Sequence, residues 1–112
     1  MKQKSRIQKA RYLQNIVKDR IVKLYPALTK KDIRTSLTGE NSADIKLLTH
    51  TARKLFPYSV ECKNRNEFKS IYRYFTQAES HSDLEQILII KSNRAKPLAI
   101  IDLEHFFTLL QD

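Results

Sequence analysis

The sequence predicts an α/β fold in which a mixed sheet is flanked by helices. Three observations predict it. Three segments repeat apolar residues at helical spacing, two segments alternate apolar and polar residues, and two nearly continuous apolar runs lie in the C-terminal third. The predicted order is helix, strand, strand, helix, strand, strand, helix, in a single domain spanning residues 1–112.

The first predicted helix runs from about Ser5 to Leu24 and ends at Tyr25-Pro26. Its apolar stripe includes Leu13, Val17 and Ile21, and its other faces are strongly basic. The following Thr29–Asp32 resembles a capping box with Asp in the place of the usual Glu, which predicts one short helical turn. Residues 35–43, which contain the only glycine, are predicted to form a loop.

Two short strands are predicted next. In Asp44–Leu48, Ile45 and Leu47 point to the opposite face from Asp44 and Lys46. In Tyr58–Lys63, alternation places Tyr58, Val60 and Cys62 on one face and Ser59, Glu61 and Lys63 on the other.

The C-terminal part is predicted to contain a helix, two strands and a final helix. The helix at about residues 66–80 has its stripe at Phe68, Ile71, Tyr72 and Phe75. Residues 86–90 and 98–101 are apolar runs of the kind found in strands covered on both faces, and a basic turn joins them. Asp102 is placed to cap the final helix.

The charge balance indicates a polyanionic partner. Twenty-one Lys and Arg face 12 Asp and Glu, for a net charge of +9 and a pI near 9.8. Such a field attracts nucleic acid or an anionic membrane surface. No apolar stretch approaches the length of a membrane span, and the N-terminal residues lack the apolar centre of a secretory signal, so a cytoplasmic protein is predicted. With Cys62 alone, no intramolecular disulfide can form.

One constellation has the chemistry of phosphodiester hydrolysis. Asp44 opens one predicted strand, and Glu61 and Lys63 share a face of the next. Two carboxylates on adjacent strands can converge on Mg²⁺, or Mn²⁺ in its place, with the Cys62 carbonyl as a third ligand. Lys63 could orient the attacking water or stabilise charge on the phosphate. A solvated strand face with alternating charges gives the same pattern, so both interpretations stay open at this point.

The wider segment resembles a known family. Gly39, Asp44-Ile45, Ala52-Arg53, Phe56-Pro57 and Glu61-Cys62-Lys63-Asn64 follow one another as in the active-site region of the PD-(D/E)XK nuclease superfamily. The resemblance is to small phage-type endonucleases and Holliday junction resolvase-like proteins, and it extends through Gln77-Ala78 and the segment from Arg94 to Asp102.

This resemblance implies a restriction-endonuclease-like fold and a magnesium-dependent DNA endonuclease. Asp44 and Glu61 would hold the metal, Lys63 would assist hydrolysis, and Gln77 would face the site from the following helix. The expected substrate is branched or structured DNA in phage-type recombination or genome processing, in the host cytoplasm if the protein is phage-encoded. A homodimer is the economical way to make two symmetric cuts.

Two positions depart from the family pattern, and the second of them keeps other functions open. Ala43 replaces the proline of the Pro-Asp pair, and Gln14 lies near the place where many relatives have a Glu on the first helix. Glu40 could compensate from the loop. The main alternative is a non-catalytic nucleic-acid-binding module with a nuclease-like fold, and a weaker one is a basic protein-interaction adaptor.

Several basic residues in or beside loops are candidates for DNA binding as a group, although any one could simply be solvated: Arg34, Arg53, Lys54, Lys91, Arg94 and Lys96. Cys62 could be considered a nucleophile, but alternation turns it toward the core with Val60, which favours a buried structural thiol.

Overall fold

The computed structural model describes residues 2–40, 43–80 and 83–111 and has a mixed α/β structure. Within these ranges the elements are helix α1 (Lys2–Leu24), strands β1 (Ile33–Thr35) and β2 (Ile45–Leu47), helix α2 (His50–Leu55), a 3₁₀ turn (Asn66–Phe68), helix α3 (Lys69–Glu79), strands β3 (Leu88–Ile90) and β4 (Leu98–Ile100), and helix α4 (Leu103–Leu110). The described strands form two separate antiparallel pairs, β1 with β2 and β3 with β4.

The chain divides into two compact units, Met1–Asn64 and Arg65–Asp112. The helices and strands confirm the predicted mixture of α and β structure, but the described strands form two antiparallel pairs and not one mixed sheet. The restriction-endonuclease-like arrangement and the single-domain organisation stay predictions.

The first unit is built on α1. Val17 and Ile21 are buried on its apolar stripe, as predicted, and Pro26 restricts Tyr25 to non-helical backbone just after the helix ends at Leu24. Ile33 of β1 and Ile45 of β2 are buried in the same unit. Each such side chain contributes about 1.5–3 kcal/mol when it is removed from water, so this core holds the β1–β2 pair in place.

The β1–β2 pair corrects the predicted loop. Ile33 lies opposite Leu47, and Thr35 lies opposite Ile45. The sequence had predicted a loop from residue 35, and Asn41 and Ser42 of that loop lie outside the described residues. Thr35 becomes the end of a strand because Ser36 N–H donates to the Asp44 carbonyl at 2.9 Å and so continues the ladder beyond it.

Asp32 joins the start of β1 to α2. Its carboxylate accepts from the Thr29 amide at 2.9 Å and from the Thr49 hydroxyl at 2.8 Å. The first bond is the reciprocal half of the predicted capping box, here closing a turn and not a helix. The Thr49 hydroxyl in turn accepts from the Ala52 amide and so caps α2. The hydrogen bonds from the Thr29 amide and the Thr49 hydroxyl lower the pKa of Asp32.

The strand predicted at Tyr58–Lys63 is not formed in the described structure. From Ser59 to Lys63 the predicted alternation is kept, since Val60 and Cys62 are shielded while Ser59, Glu61 and Lys63 are exposed. Tyr58, predicted to share the inward face, is instead 42% exposed. The segment bonds to the rest of the unit through Asp44, whose amide donates to the Val60 carbonyl at 2.9 Å. A regular ladder does not follow because the Cys62 amide donates to the Asp44 side chain and not to a strand carbonyl.

The second unit contains α3, the β3–β4 hairpin and α4. Leu88 lies opposite Ile100, and Ile90 lies opposite Leu98. As predicted, the Asp102 side chain caps α4 by accepting from the His105 amide at 3.0 Å, and Phe107 of that helix is buried.

Two expectations for this unit are wrong. Ile89 and Leu98 are 61% and 51% exposed, so the strands are not covered on both faces. A two-stranded hairpin alternates its side chains, and only Leu88 and Ile90 of β3 turn to the shielded face. Tyr72 is 72% exposed because it lies at the edge of the stripe marked by Ile71 and Phe75.

The turn between β3 and β4 contains a conformational requirement at Arg94. The Ala95 amide donates to the Ser92 carbonyl at 3.2 Å, and Arg94 has φ of 63°. The left-handed region costs an L-residue about 1–2 kcal/mol, and β-branched residues tolerate it least.

We therefore predict that Arg94→Gly has a free energy of unfolding at least about 1 kcal/mol higher than Arg94→Val, measured by urea denaturation. The same pair at Lys96 is the control. Arg94 is the one non-glycine residue of positive φ among the described residues, so Lys96→Gly should be less stable than Lys96→Val. The same order at both positions would contradict the assigned turn.

Candidate active site

Asp44 is the residue on which the candidate site is centred. It lies immediately before β2 and is half-buried. Its carbonyl accepts from Ser36 on the β1 side, and its amide donates to Val60 on the other side. Its Oδ2 accepts from the Cys62 amide at 2.6 Å. The side chain is thus held against the residue that separates Glu61 from Lys63.

Glu61 and Lys63 project to solvent beside this carboxylate. Their side chains are 63% and 51% exposed, and Lys63 Nζ lies 3.3 Å from Glu61 Oε2. An exposed ion pair of this kind contributes little to stability. Breaking the contact between Glu61 and Lys63 therefore costs little free energy, so either side chain can bind a ligand instead.

The Cys62 thiol is buried and is affected by the charges of both Asp44 and Glu61. Burial raises the pKa of Cys62 to about 11, and the negative charges of Asp44 and then Glu61 add to the rise. A thiol with this pKa is almost entirely protonated near neutral pH, so it is a poor nucleophile. The structure thus confirms the buried thiol that the alternation favoured. The role of the Cys62 carbonyl as a metal ligand stays a prediction.

A cavity of about 220 Å³ lies between α1 and the loop before β2. Asp44 is at its wall, together with Ser36–Glu40 from the loop and four residues of α1: Ile7, Ala10, Arg11 and Gln14. The structure therefore brings Gln14 and Glu40 to the same cavity as Asp44. The α1 residues follow the helical spacing i, i+3, i+4, i+7, which places them on one face.

Arg11 is the residue of this cavity that the sequence analysis missed. Its Nη2 donates to the Thr38 hydroxyl at 2.8 Å across the cavity. The available signal was its helical spacing with Gln14, but nothing in the sequence indicated that this face of α1 would meet residues 36–40.

Glu40 braces the loop instead of facing a ligand. Its two carboxylate oxygens accept from Arg34 at 3.1 and 3.3 Å, Lys46 Nζ lies 3.7 Å away, and the Leu37 amide also donates to it. The bonds from Arg34 and Leu37 lower the pKa of Glu40 to about 2. The turn they close has Gly39 at φ of 87°, a value that favours glycine.

The candidate DNA-binding residues have different surroundings. Arg34 is engaged with Glu40 and with the Thr35 carbonyl. Arg53 donates to the Leu47 carbonyl at 2.7 Å, and Lys54 beside it is exposed. Lys91, Arg94 and Lys96 are exposed on the β3–β4 turn of the second unit. Binding of DNA by this group stays a prediction.

Gln77 belongs to the second unit and is exposed on α3, whereas Asp44, Glu61 and Lys63 belong to the first. Its role in the site stays a prediction.

The residues present fit a magnesium ion by their chemistry. In the part of the chain that the structure describes, no three His, Cys, Asp or Glu side chains gather as a ready ligand group. Mg²⁺ does not need such a group, because it is commonly held by one or two carboxylates and keeps several waters. Glu61 is exposed, and Asp44 uses Oδ2 toward Cys62, which leaves Oδ1 for a ligand.

Comparison with protein-family models, curated proteins and solved structures gives no match for this chain. Within residues 2–40, 43–80 and 83–111, no helix combines the length and apolar character needed to cross a bilayer.

The brace at Glu40 generates a pH-dependent prediction. Because the pKa of Glu40 is lowered to about 2 from 4.5, its ionised form adds stability that is present above about pH 4.5 and lost as the pH falls toward 2. Glu40→Gln removes this contribution at every pH. We expect the wild-type melting temperature to exceed that of Glu40→Gln near pH 6 and the difference to shrink toward pH 2.

The control is Glu79→Gln, since Glu79 is an exposed carboxylate on α3. The difference in melting temperature between wild type and Glu79→Gln should not shrink in this way toward pH 2. Parallel melting curves for wild type and Glu40→Gln across this range would contradict the brace.

Proposed function

We propose that this protein is a magnesium-dependent DNA endonuclease whose centre is Asp44, Glu61 and Lys63, carried on a restriction-endonuclease-like fold. The observation that carries the proposal is the hydrogen bond from the Cys62 amide to Asp44 Oδ2, because it fixes one carboxylate against the backbone between the other carboxylate and the lysine. A carboxylate pair beside an exposed ammonium suits the hydrolysis of a phosphodiester.

The three side chains have different tasks. When bound, Mg²⁺ supplies Lewis acidity toward phosphate and water. Asp44 and Glu61 provide the hard anionic oxygens that hold it. Lys63 is no metal ligand; its ammonium neutralises charge that develops on the phosphate or orients the attacking water. For either task it leaves Glu61, from which it is separated by 3.3 Å.

The charge of the chain supports DNA as the substrate. A net charge of +9 on 112 residues attracts a polyanion over a long range. Branched or structured DNA in phage-type recombination is the proposed substrate class, and a twofold homodimer would give it two symmetric active sites.

A non-catalytic nucleic-acid-binding module is the second candidate, and one observation favours it. None of the four α1 residues that line the cavity beside Asp44 is a carboxylate, and Gln14 among them is a neutral amide that cannot add negative charge to a metal site. Nicking of a supercoiled plasmid with Mg²⁺, but not with EDTA, distinguishes the enzyme from the module.

Substitutions at the three proposed site residues should separate metal binding from catalysis. Asp44→Ala or Glu61→Ala should lower single-turnover cleavage by about a hundredfold or more, because each removes a ligand to the metal. Lys63→Ala should lower cleavage by about 10²–10³-fold while keeping most of the Mg²⁺ affinity. DNA binding should survive all three changes.

Cys62→Ala is the matched control and should cleave at nearly the wild-type rate, since its backbone amide still donates to Asp44. Folded Asp44→Ala and Glu61→Ala proteins that cut like wild type would refute the assignment of these residues.

The second prediction concerns binding. DNA affinity should fall by about 10³-fold between about 50 and 200 mM salt if about six phosphates are neutralised. The triple variant Lys91→Ala, Arg94→Gly, Lys96→Ala should weaken binding and reduce the salt slope by about one for each residue that contacts phosphate. Glycine at 94 preserves the turn. An unchanged salt slope in this variant would remove the turn from the binding surface.

A further inference from the structure

Arg11 stands out among the residues of the cavity between α1 and residues 36–40. Its guanidinium donates to a neutral hydroxyl, that of Thr38. Among the described residues no carboxylate pairs with it, whereas Glu40 in the same wall is already matched by Arg34 and Lys46. A guanidinium has five N–H donors, so most of those of Arg11 are available to another acceptor.

The cavity has the size and the donors for a phosphate group. Its volume of about 220 Å³ is roughly seven times the ~30 Å³ share of a liquid water. Gln14 adds an amide from the same face of α1. Planar guanidinium groups bind phosphate oxygens in a bidentate manner, and a charge-assisted bond of this kind is about twice as strong as a neutral one. A phosphate can therefore displace the Thr38 hydroxyl from Arg11.

Asp44 determines which phosphate compound fits. Its carboxylate shares the cavity wall and repels any anion there, which weakens the attraction of Arg11 for a small free anion. A nucleic-acid strand is also attracted by the rest of a +9 chain, so one of its phosphates can be held beside Asp44.

We propose that this cavity binds a phosphate of the DNA strand that passes Asp44, with Arg11 as its charged ligand and Gln14 as a neutral donor. The inference rests on the proposed function for the identity of the strand. Arg11 is a binding residue in this scheme, and it tethers the strand on the α1 side of the carboxylates.

The test measures affinity for a fluorescent DNA duplex in EDTA, using the full chain in an Asp44→Asn background. Asparagine can still accept from the Cys62 amide, removes the repelling charge and prevents metal-dependent cutting. The variants are Arg11→Met, Thr38→Val and, as the matched loss of one charge, Arg6→Met. Arg6 is exposed on α1 and does not line the cavity.

Arg11→Met is expected to weaken binding by about tenfold, the loss of one charge-assisted contact. Arg6→Met should weaken it clearly less. Thr38→Val should leave the affinity unchanged or higher, because it removes the group that competes with phosphate for Arg11. Since all arms lack metal, a failure of the cleavage tests on Asp44 and Glu61 would leave this result intact, and the reverse also holds.

Three outcomes would overturn the proposal. Equal weakening by Arg11→Met and Thr38→Val would make Arg11 a structural tie between α1 and the loop. Equal weakening by Arg11→Met and Arg6→Met would reduce it to general charge. Displacement of the duplex by inorganic phosphate from the protein that keeps Asp44, in EDTA and beyond the effect of chloride at the same ionic strength, would assign the cavity to free phosphate.

Discussion

The hydrogen bond between the Cys62 amide and the Asp44 carboxylate organises the first unit. A buried or half-buried amide has to find an acceptor, and here the acceptor is a side chain where a strand ladder would offer a carbonyl. The backbone amide of Asp44 donates to the Val60 carbonyl, and the Asp44 carbonyl accepts from the Ser36 amide. Asp44 therefore connects the β1–β2 pair to residues 60–62, and the position of Glu61 and Lys63 follows from that connection.

Charge is distributed around Asp44 in two distinct ways. On the loop side, Glu40 is matched by Arg34 and Lys46 and holds the turn at Gly39 closed. On the exposed side, Glu61 and Lys63 pair with each other in a solvated contact. The matched cluster gives the loop a fixed shape, while the solvated pair can rearrange at small cost.

The two apolar patterns of the chain had different outcomes, for a reason that lies in their neighbours. The stripe on α1 buries Val17 and Ile21 because β1 packs beside it. The apolar run at residues 86–90 leaves Ile89 exposed because alternation turns it to the face of the hairpin opposite Leu88 and Ile90, and that face is not covered by the described residues. The apolar spacing thus indicated a helix in one part and strands in the other, but the number of faces that are covered depended on partners outside each element.

Local features were determined by the sequence alone. The end of α1 before Pro26, the reciprocal bond of Asp32, the cap at Asp102 and the inward direction of Cys62 each depend on residues within a few positions, where backbone geometry leaves few choices. The meeting of Arg11 with Thr38, and of Gln14 with Asp44, joins residues far apart in the chain. Only the tertiary structure decided these contacts, since the packing of α1 against the β1–β2 pair selects which face of the helix meets the loop.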